Sequence, residues 1–154
     1  DLRGAVLYET NLQNADLSDA NLEEATITGS NLQNAKLRTT KLSKAEMSNV
    51  NLTNAILANA RLNGAKLNLA ILQNADLFAA DLRNAQLNGA NLIGAKLNLA
   101  KLEGAQIKPS RFGLARLDET TILPDGTRYQ PALGLAQLER FIDKNHTNFY
   151  KAGL

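Results

Sequence analysis

The side chains that could carry chemistry are few, and their spacing does not gather them. His146 is the single histidine and there is no cysteine. Thiolate metal sites, disulfides and cysteine nucleophiles are therefore excluded. A triad or metal centre needs its histidine held against fixed partners. His146 falls in the last ten residues, where a solvated surface imidazole is expected. The carboxylates are scattered, and Asp16 and Asp76 are the two that a repeat would bring to one side, three coils apart. No glycine-rich phosphate loop and no calcium-binding β-roll signature is present. Asn51-Leu52-Thr53 and Asn145-His146-Thr147 match a glycosylation acceptor, a pattern that arises by chance in a chain built on Asn-Leu. No catalytic, cofactor-binding or metal residue is assigned, and no cofactor is expected.

Bulk properties exclude further classes. A chain of 154 residues suits one domain. Basic and acidic side chains number 17 and 15, so the net charge is only +2. A nucleic-acid binder would show a denser basic stripe. No apolar run approaches the roughly 18–20 residues of a membrane span, and no signal peptide is visible. The chain opens at Asp1 in mid-repeat, which leads to the expectation of a fragment or processed form of a larger protein. A cytoplasmic location is expected, with periplasm or thylakoid lumen as alternatives.

What must position these side chains is a repeat. Every fifth residue from Leu2 to Ile122 is apolar, and 20 of the 25 are Leu; the others are Ile27, Met47, Ile107, Phe112 and Ile122. Every fifth residue from Ala5 to Thr120 is small or β-branched, and 18 of the 24 are Ala. A period of five fits no regular element. On an α-helix the leucines would rotate by about 140° at each step. On a flat strand they would alternate faces. The pattern works if each five-residue unit is a short extended side followed by a corner, with Ala and Leu pointing inward and three residues outward.

The coil period is also legible. Asn-Leu-Gln-Asn stands at 11–14 and 31–34, Asn-Leu-Thr-Asn at 51–54 and Ile-Leu-Gln-Asn at 71–74. Recurrence at 20 residues means four units per coil. It predicts amide ladders through Asn14, Asn34, Asn54 and Asn74, and through Asn11, Asn31 and Asn51. About six coils at a strand spacing of ~4.8 Å give a rod about 30 Å long.

The A(N/D)LXX unit resembles the pentapeptide-repeat family over about four-fifths of the chain. That resemblance implies an all-β fold, a right-handed quadrilateral parallel β-helix, with a short C-terminal helical cap. The Leu123-Pro124-Asp125-Gly126-Thr127 ending resembles cyanobacterial members, some of which are appended to protein kinases or membrane segments.

The repeat is assigned to residues 1–123 and the ending to 124–154. Pro124 and Gly126 predict a tight turn. Pro131 is expected to open a helix whose apolar face is Leu133, Leu135, Leu138, Phe141 and Ile142, fading near Asn145 into a tail. This segment should cap the apolar cross-section that a solenoid exposes at its end. Gly64, Gly89, Gly94 and Gly104 fall at corners, where tolerance of positive φ is useful.

Folding the units four to a coil places Ile56, Ala58, Phe78, Ala79 and Leu99 outward on one side. Ile71 and Ile93 fall on the adjacent side, with Leu69 at the corner leading into it. These eight residues are predicted to form a contiguous apolar patch, a candidate partner or dimer surface. The alternative is that Leu69 and Leu99 fill corner grooves among ordinary surface apolars. The amide side, with Gln13, Gln33 and Gln73, is a second flat surface.

The expected function is a non-catalytic protein-interaction or scaffold module within a larger protein. One alternative is a regulatory or targeting C-terminal domain of a Ser/Thr kinase or membrane protein. The other is a DNA mimic acting on a topoisomerase such as gyrase, a role the resemblance associates with acidic rods and frequent central Phe. Here Lys41, Arg61, Arg83 and Lys101 share a side with Asp1, Asp81 and Glu103. The expected partner is an unidentified protein, with no nucleic acid and no membrane contact by this chain, and the expected state is a monomer or weak dimer.

Overall fold

The computed structural model describes residues 1–107 and 112–138. Parallel bridges join residues 20 apart in four columns. The first runs 6–26–46–66–86–106, the second 11–31–51–71–91, the third 16–36–56–76–96–116 and the fourth 21–41–61–81–101. Each column marks one side of a right-handed, four-sided parallel β-helix. Each side pairs by single bridges because a corner interrupts the chain every five residues.

One unit shows why the repeat is stable. Asn51 N–H donates to the Ser30 carbonyl of the coil below (3.0 Å). Leu52 and Asn54 donate to Ile71 and Gln73 of the coil above (2.7 and 3.0 Å), and Ala55 closes the corner onto Leu52 (3.0 Å). The remaining donor, Thr53 N–H, points outward and is taken by the Asn51 side chain at 3.1 Å. All five backbone donors are thus satisfied, as a wound chain requires. The preference for Asn or Asp before Leu follows, because their short side chains reach the backbone two residues on. The same bond recurs from Gln13 to Asn11, Glu23 to Asn21, Gln33 to Asn31 and Ile93 to Asn91.

The third turn residue has positive φ, as a type II turn demands. Asn54 sits at 58° and Gly64 at 70°. Inside, Leu and Ala stack without a gap from Leu22 to Leu102, all fully buried. Each Leu so buried contributes roughly 1.5–3 kcal/mol relative to exposure. Thr40 replaces Ala in this stack, and its hydroxyl donates to the Leu17 carbonyl at 2.9 Å, so that buried hydroxyl is not orphaned. In the first coil Leu7, Leu12 and Leu17 are only partly buried.

The top of the rod departs from the expected register. Lys101 bridges Ile122, 21 residues on, rather than 20. Thr121 and Leu123, not Thr120 and Ile122, therefore occupy the inward positions and are fully buried. One residue is inserted after Arg116, and the Thr121 hydroxyl donates to the Leu97 carbonyl as Thr40 does to Leu17 (2.9 Å). Phe112 keeps its inward place, in a one-turn 3-10 helix Phe112–Leu114.

The chain then turns back. Leu123 N–H donates to the Thr127 carbonyl (2.7 Å), Gly126 to Leu123 (2.8 Å), and Ile122 pairs antiparallel with Arg128. Gly126, at φ 81°, supplies the positive φ after Pro124-Asp125. This hairpin replaces the parallel edge that would otherwise face solvent. The helix α1 spans Leu135–Leu138, shorter than the expected segment. Leu138 is buried in the core, but Leu133 lies in the preceding turn and is exposed, so it is not part of an apolar helix face. Phe141, Ile142, Asn145 and His146 lie outside the described residues.

Candidate interaction surface

The potentially chemical groups do not converge. Asp16 and Asp76 share the third column but are separated by Lys36 and Ile56. Among the described residues no group of three His, Asp or Glu side chains could hold a metal. No helix among them is long and apolar enough to cross a membrane. A shallow groove of about 480 Å³ on the fourth side is lined by Arg3, Glu23, Glu24, Ser43, Lys44 and Asn63. It is open and polar, with Lys44 already facing Glu24 at 3.7 Å.

Among the described residues three ion pairs join successive coils. Lys36 meets Asp16 at 3.5 Å and Lys66 meets Glu46 at 2.7 Å. Such exposed pairs contribute little individually, but they show that the 20-residue register sets opposite charges in contact. Asp81 is different: Arg83, two residues on, grips its carboxylate through two bonds of 2.8 and 2.6 Å. Those bonds hold the Asp81 carboxyl below its ordinary range. Hydrogen bonds from Ser18 do the same for Asp16, and bonds from Thr120 and Asn98 for Asp118.

One of the two expected amide ladders forms in part, through Asn14, Asn34 and Asn54 but not on to Asn74. Asn34 donates to Asn14 and Asn54 to Asn34, each at 3.2 Å, along the corner between the second and third sides. Asn11, Asn31 and Asn51 instead turn their carbonyls onto their own backbones. A side chain that satisfies the outward N–H is not available to its neighbour above.

The structure rearranges the predicted apolar patch. Ala58 is only 2% exposed, and so is not a surface residue. It stands between Arg38 and Phe78 in the stack, and its small side chain is covered by these longer neighbours. Leu69, Ile71, Phe78 and Leu99 are the exposed members, at 59, 39, 43 and 44%. Ile56, Ala79 and Ile93 are half-buried. They do not form one patch. The polar Asn54–Asn74–Gly94 corner lies between the second and third sides, and Ile56 is bracketed by Lys36 and Asp76. Two groups result: Leu69, Ile71 and Ile93 on and beside the second side, and Phe78, Ala79 and Leu99 where the third side meets the fourth.

Leu69, Ala79 and Leu99 occupy corners with φ of 60, 55 and 60°. Left-handed backbone costs a Leu on the order of 1 kcal/mol, whereas Asn and Gly tolerate it. Sequence reasoning noticed these residues as apolar and outward but missed their strain. Of the cations around the second group it noted Arg61 and Lys101 only as part of a mixed-charge side, and it missed Lys96 and Arg116. Writing the chain in rows of 20 would have shown Lys96 above Asp76 and Arg116 above Lys96.

Known proteins fit this geometry. A family model described as pentapeptide repeats, eight copies, matches residues 1–38, 30–68, 45–84 and 70–108. Among solved structures the chain is similar to HetL of the cyanobacterium Nostoc sp. strain PCC 7120, a pentapeptide repeat protein involved in heterocyst differentiation regulation. The identity is 32% and the TM-score 0.58, over 82% of this chain and 65% of that one. The chain thus spans just under two thirds of HetL. It is also similar to Rfr23 of the cyanobacterium Cyanothece 51142, at 36% identity and TM-score 0.45, over 64% of this chain and 63% of that one. No curated protein matches.

Proposed function

The chain belongs to the pentapeptide-repeat family, and from that premise we propose that it serves as a non-catalytic protein-interaction module within a larger protein. The observation that carries this reading is the filled interior. Leu and Ala occupy every inward position from Leu22 to Leu102 with no exposure, apart from the like-sized Ile27, Ser30, Thr40, Met47 and Val50. Among the described residues the interior of these coils is thus filled by side chains, not shaped as the enclosed, desolvated space that catalysis of most reactions uses. The outer sides are held in register by backbone bonds at every unit. A surface so pre-organised loses little entropy on binding, which favours recognition.

The test is site-by-site photocrosslinking. A photoreactive side chain is placed at one outward position on each of the four sides, in the cells that make the protein. Crosslinks to one protein, concentrated on one side or corner, are expected. Absence of crosslinks from all four sides, or turnover of a substrate by the isolated chain, would overturn the reading. An antibody against the chain tests the second half of the proposal, which requires a native band well above 16.6 kDa.

A further inference from the structure

The corner between the third and fourth sides combines three features that the fold does not require. Leu99 holds a left-handed corner at φ 60° with 44% of its surface exposed. The same column holds Asp19, Thr39 and Asn59 in lower coils. Neither the backbone nor the core selects Leu there, because Asn suits the conformation better and the side chain is outside. Phe78 lies one coil below, beside Ala79. It covers Ala58, yet keeps 43% of its own surface exposed. Strained backbone and exposed apolar area in one place point to recognition.

Like charges stack at this corner, as Lys41 and Arg61 do lower on the rod. Lys96 is bridged directly to Arg116, a like-charge contact that is unfavourable on a sheet. Arg61 and Lys101 stack on either side of Asp81, whose carboxylate is committed to Arg83. All four cations are exposed, and none forms an ion pair among the described residues. The nearby carboxylates each accept a hydrogen bond. Asp76 accepts Phe78 N–H at 3.2 Å, and Asp118 accepts the Asn98 amide at 2.6 Å.

We propose that the Phe78–Leu99 corner, rimmed by Arg61, Lys96, Lys101 and Arg116, binds an acidic protein segment carrying apolar side chains. The apolar centre would take the side chains, and the rim, whose cations form no ion pair among the described residues, would take the carboxylates. This rests on the interaction-module reading and names the chemistry of its partner. A protein segment is favoured over a nucleic acid because the exposed centre of the site is aliphatic as well as aromatic, and a phosphate backbone would leave Leu99 unmatched.

The probe is a fluorescent peptide of three Asp-Leu-Glu-Phe repeats, followed by anisotropy against the whole chain. Controls are a Lys-Leu-Arg-Phe peptide, an Asp-Ser-Glu-Asn peptide and a labelled single-stranded oligonucleotide. The acidic–apolar peptide is expected to bind, more weakly in high salt, and at least about tenfold tighter than each control. The variants Phe78→Ser with Leu99→Asn, and Lys96→Glu with Lys101→Glu, should each weaken it by about tenfold or more. Leu99→Asn alone should leave the thermal midpoint unchanged or raised, since Asn fits the corner. The proposal falls if the peptide does not bind, if either double variant binds it equally, if the oligonucleotide binds as tightly or tighter, or if Leu99→Asn lowers the midpoint. Failure here with crosslinks on another side removes only this corner. Failure together with no crosslink on any side removes the module reading as well.

Discussion

The backbone N–H of Leu99 donates to the Thr120 hydroxyl, 2.8 Å away. The corners below it in the same column, at Asp19, Thr39, Asn59 and Ala79, donate to backbone carbonyls of the next coil. The inserted residue after Arg116 moves the carbonyl out of place, and a side chain substitutes for it. Thr120→Val keeps the shape and removes the acceptor. It should cost about 1 kcal/mol, read as a thermal midpoint lowered by roughly 2–4 °C. Thr120→Ser should restore most of it. A Val variant as stable as the parent would show that the hydroxyl is incidental.

Gly94 and Gly64 separate conformational cost from steric cost. Both have positive φ, 69 and 70°. A Cβ on Gly94 would lie 2.3 Å from Asn74 Oδ1, whereas one on Gly64 would meet only Lys44 Cγ at 3.6 Å. Each Ala substitution should lose about 1 kcal/mol for the left-handed backbone. Gly94→Ala should lose a further increment because the Asn74 amide must move. Adding Asn74→Ala should abolish that difference in urea unfolding, as a double-mutant cycle would register. Equal losses at Gly64 and Gly94 would contradict the packing described at that corner.

How much of this was legible beforehand depends on the residue. Leu and Ala specify the inward face and the Asn recurrence the 20-residue stacking period, because both follow from spacing; the square cross-section and the handedness come mainly from the family resemblance. The slip at the top was not legible. Thr120 and Thr121 are alike, and Ile122 and Leu123 are alike, so either pair satisfies the pattern; only the bridge from Lys101 decides. Ala58 was misplaced because the exposure of an outward residue depends on neighbours 20 positions away. The corner strain at Leu99 required the backbone itself.

Acid should loosen the rod late. Asp81 is held below its ordinary value by the Arg83 side chain, Asp16 by Ser18, and Asp118 by Thr120 and Asn98. These carboxyls are lowered in the folded state, so their contribution is complete above the ordinary value of 3.8 and is lost as pH falls through the lowered ones. The thermal midpoint should stay level from about pH 7 to about pH 5 and drop below about pH 4. Asp81→Asn should make the drop shallower. An unchanged slope in that variant would remove Asp81 from the account.

The central claim is that successive residues on one side face opposite ways, inward and outward, with a period of five. Phe78 and Ile71 are exposed, while their chain neighbours Leu77 and Leu72 are fully buried. The direct measurement is therefore thermal unfolding of two double variants by circular dichroism. Phe78→Lys with Ile71→Lys should melt within a few degrees of the parent. Leu77→Lys with Leu72→Lys should fail to fold, since each would bury an unpaired charge. An outward pair that unfolds the chain, or an inward pair that leaves it intact, would contradict the register on which every surface assignment depends.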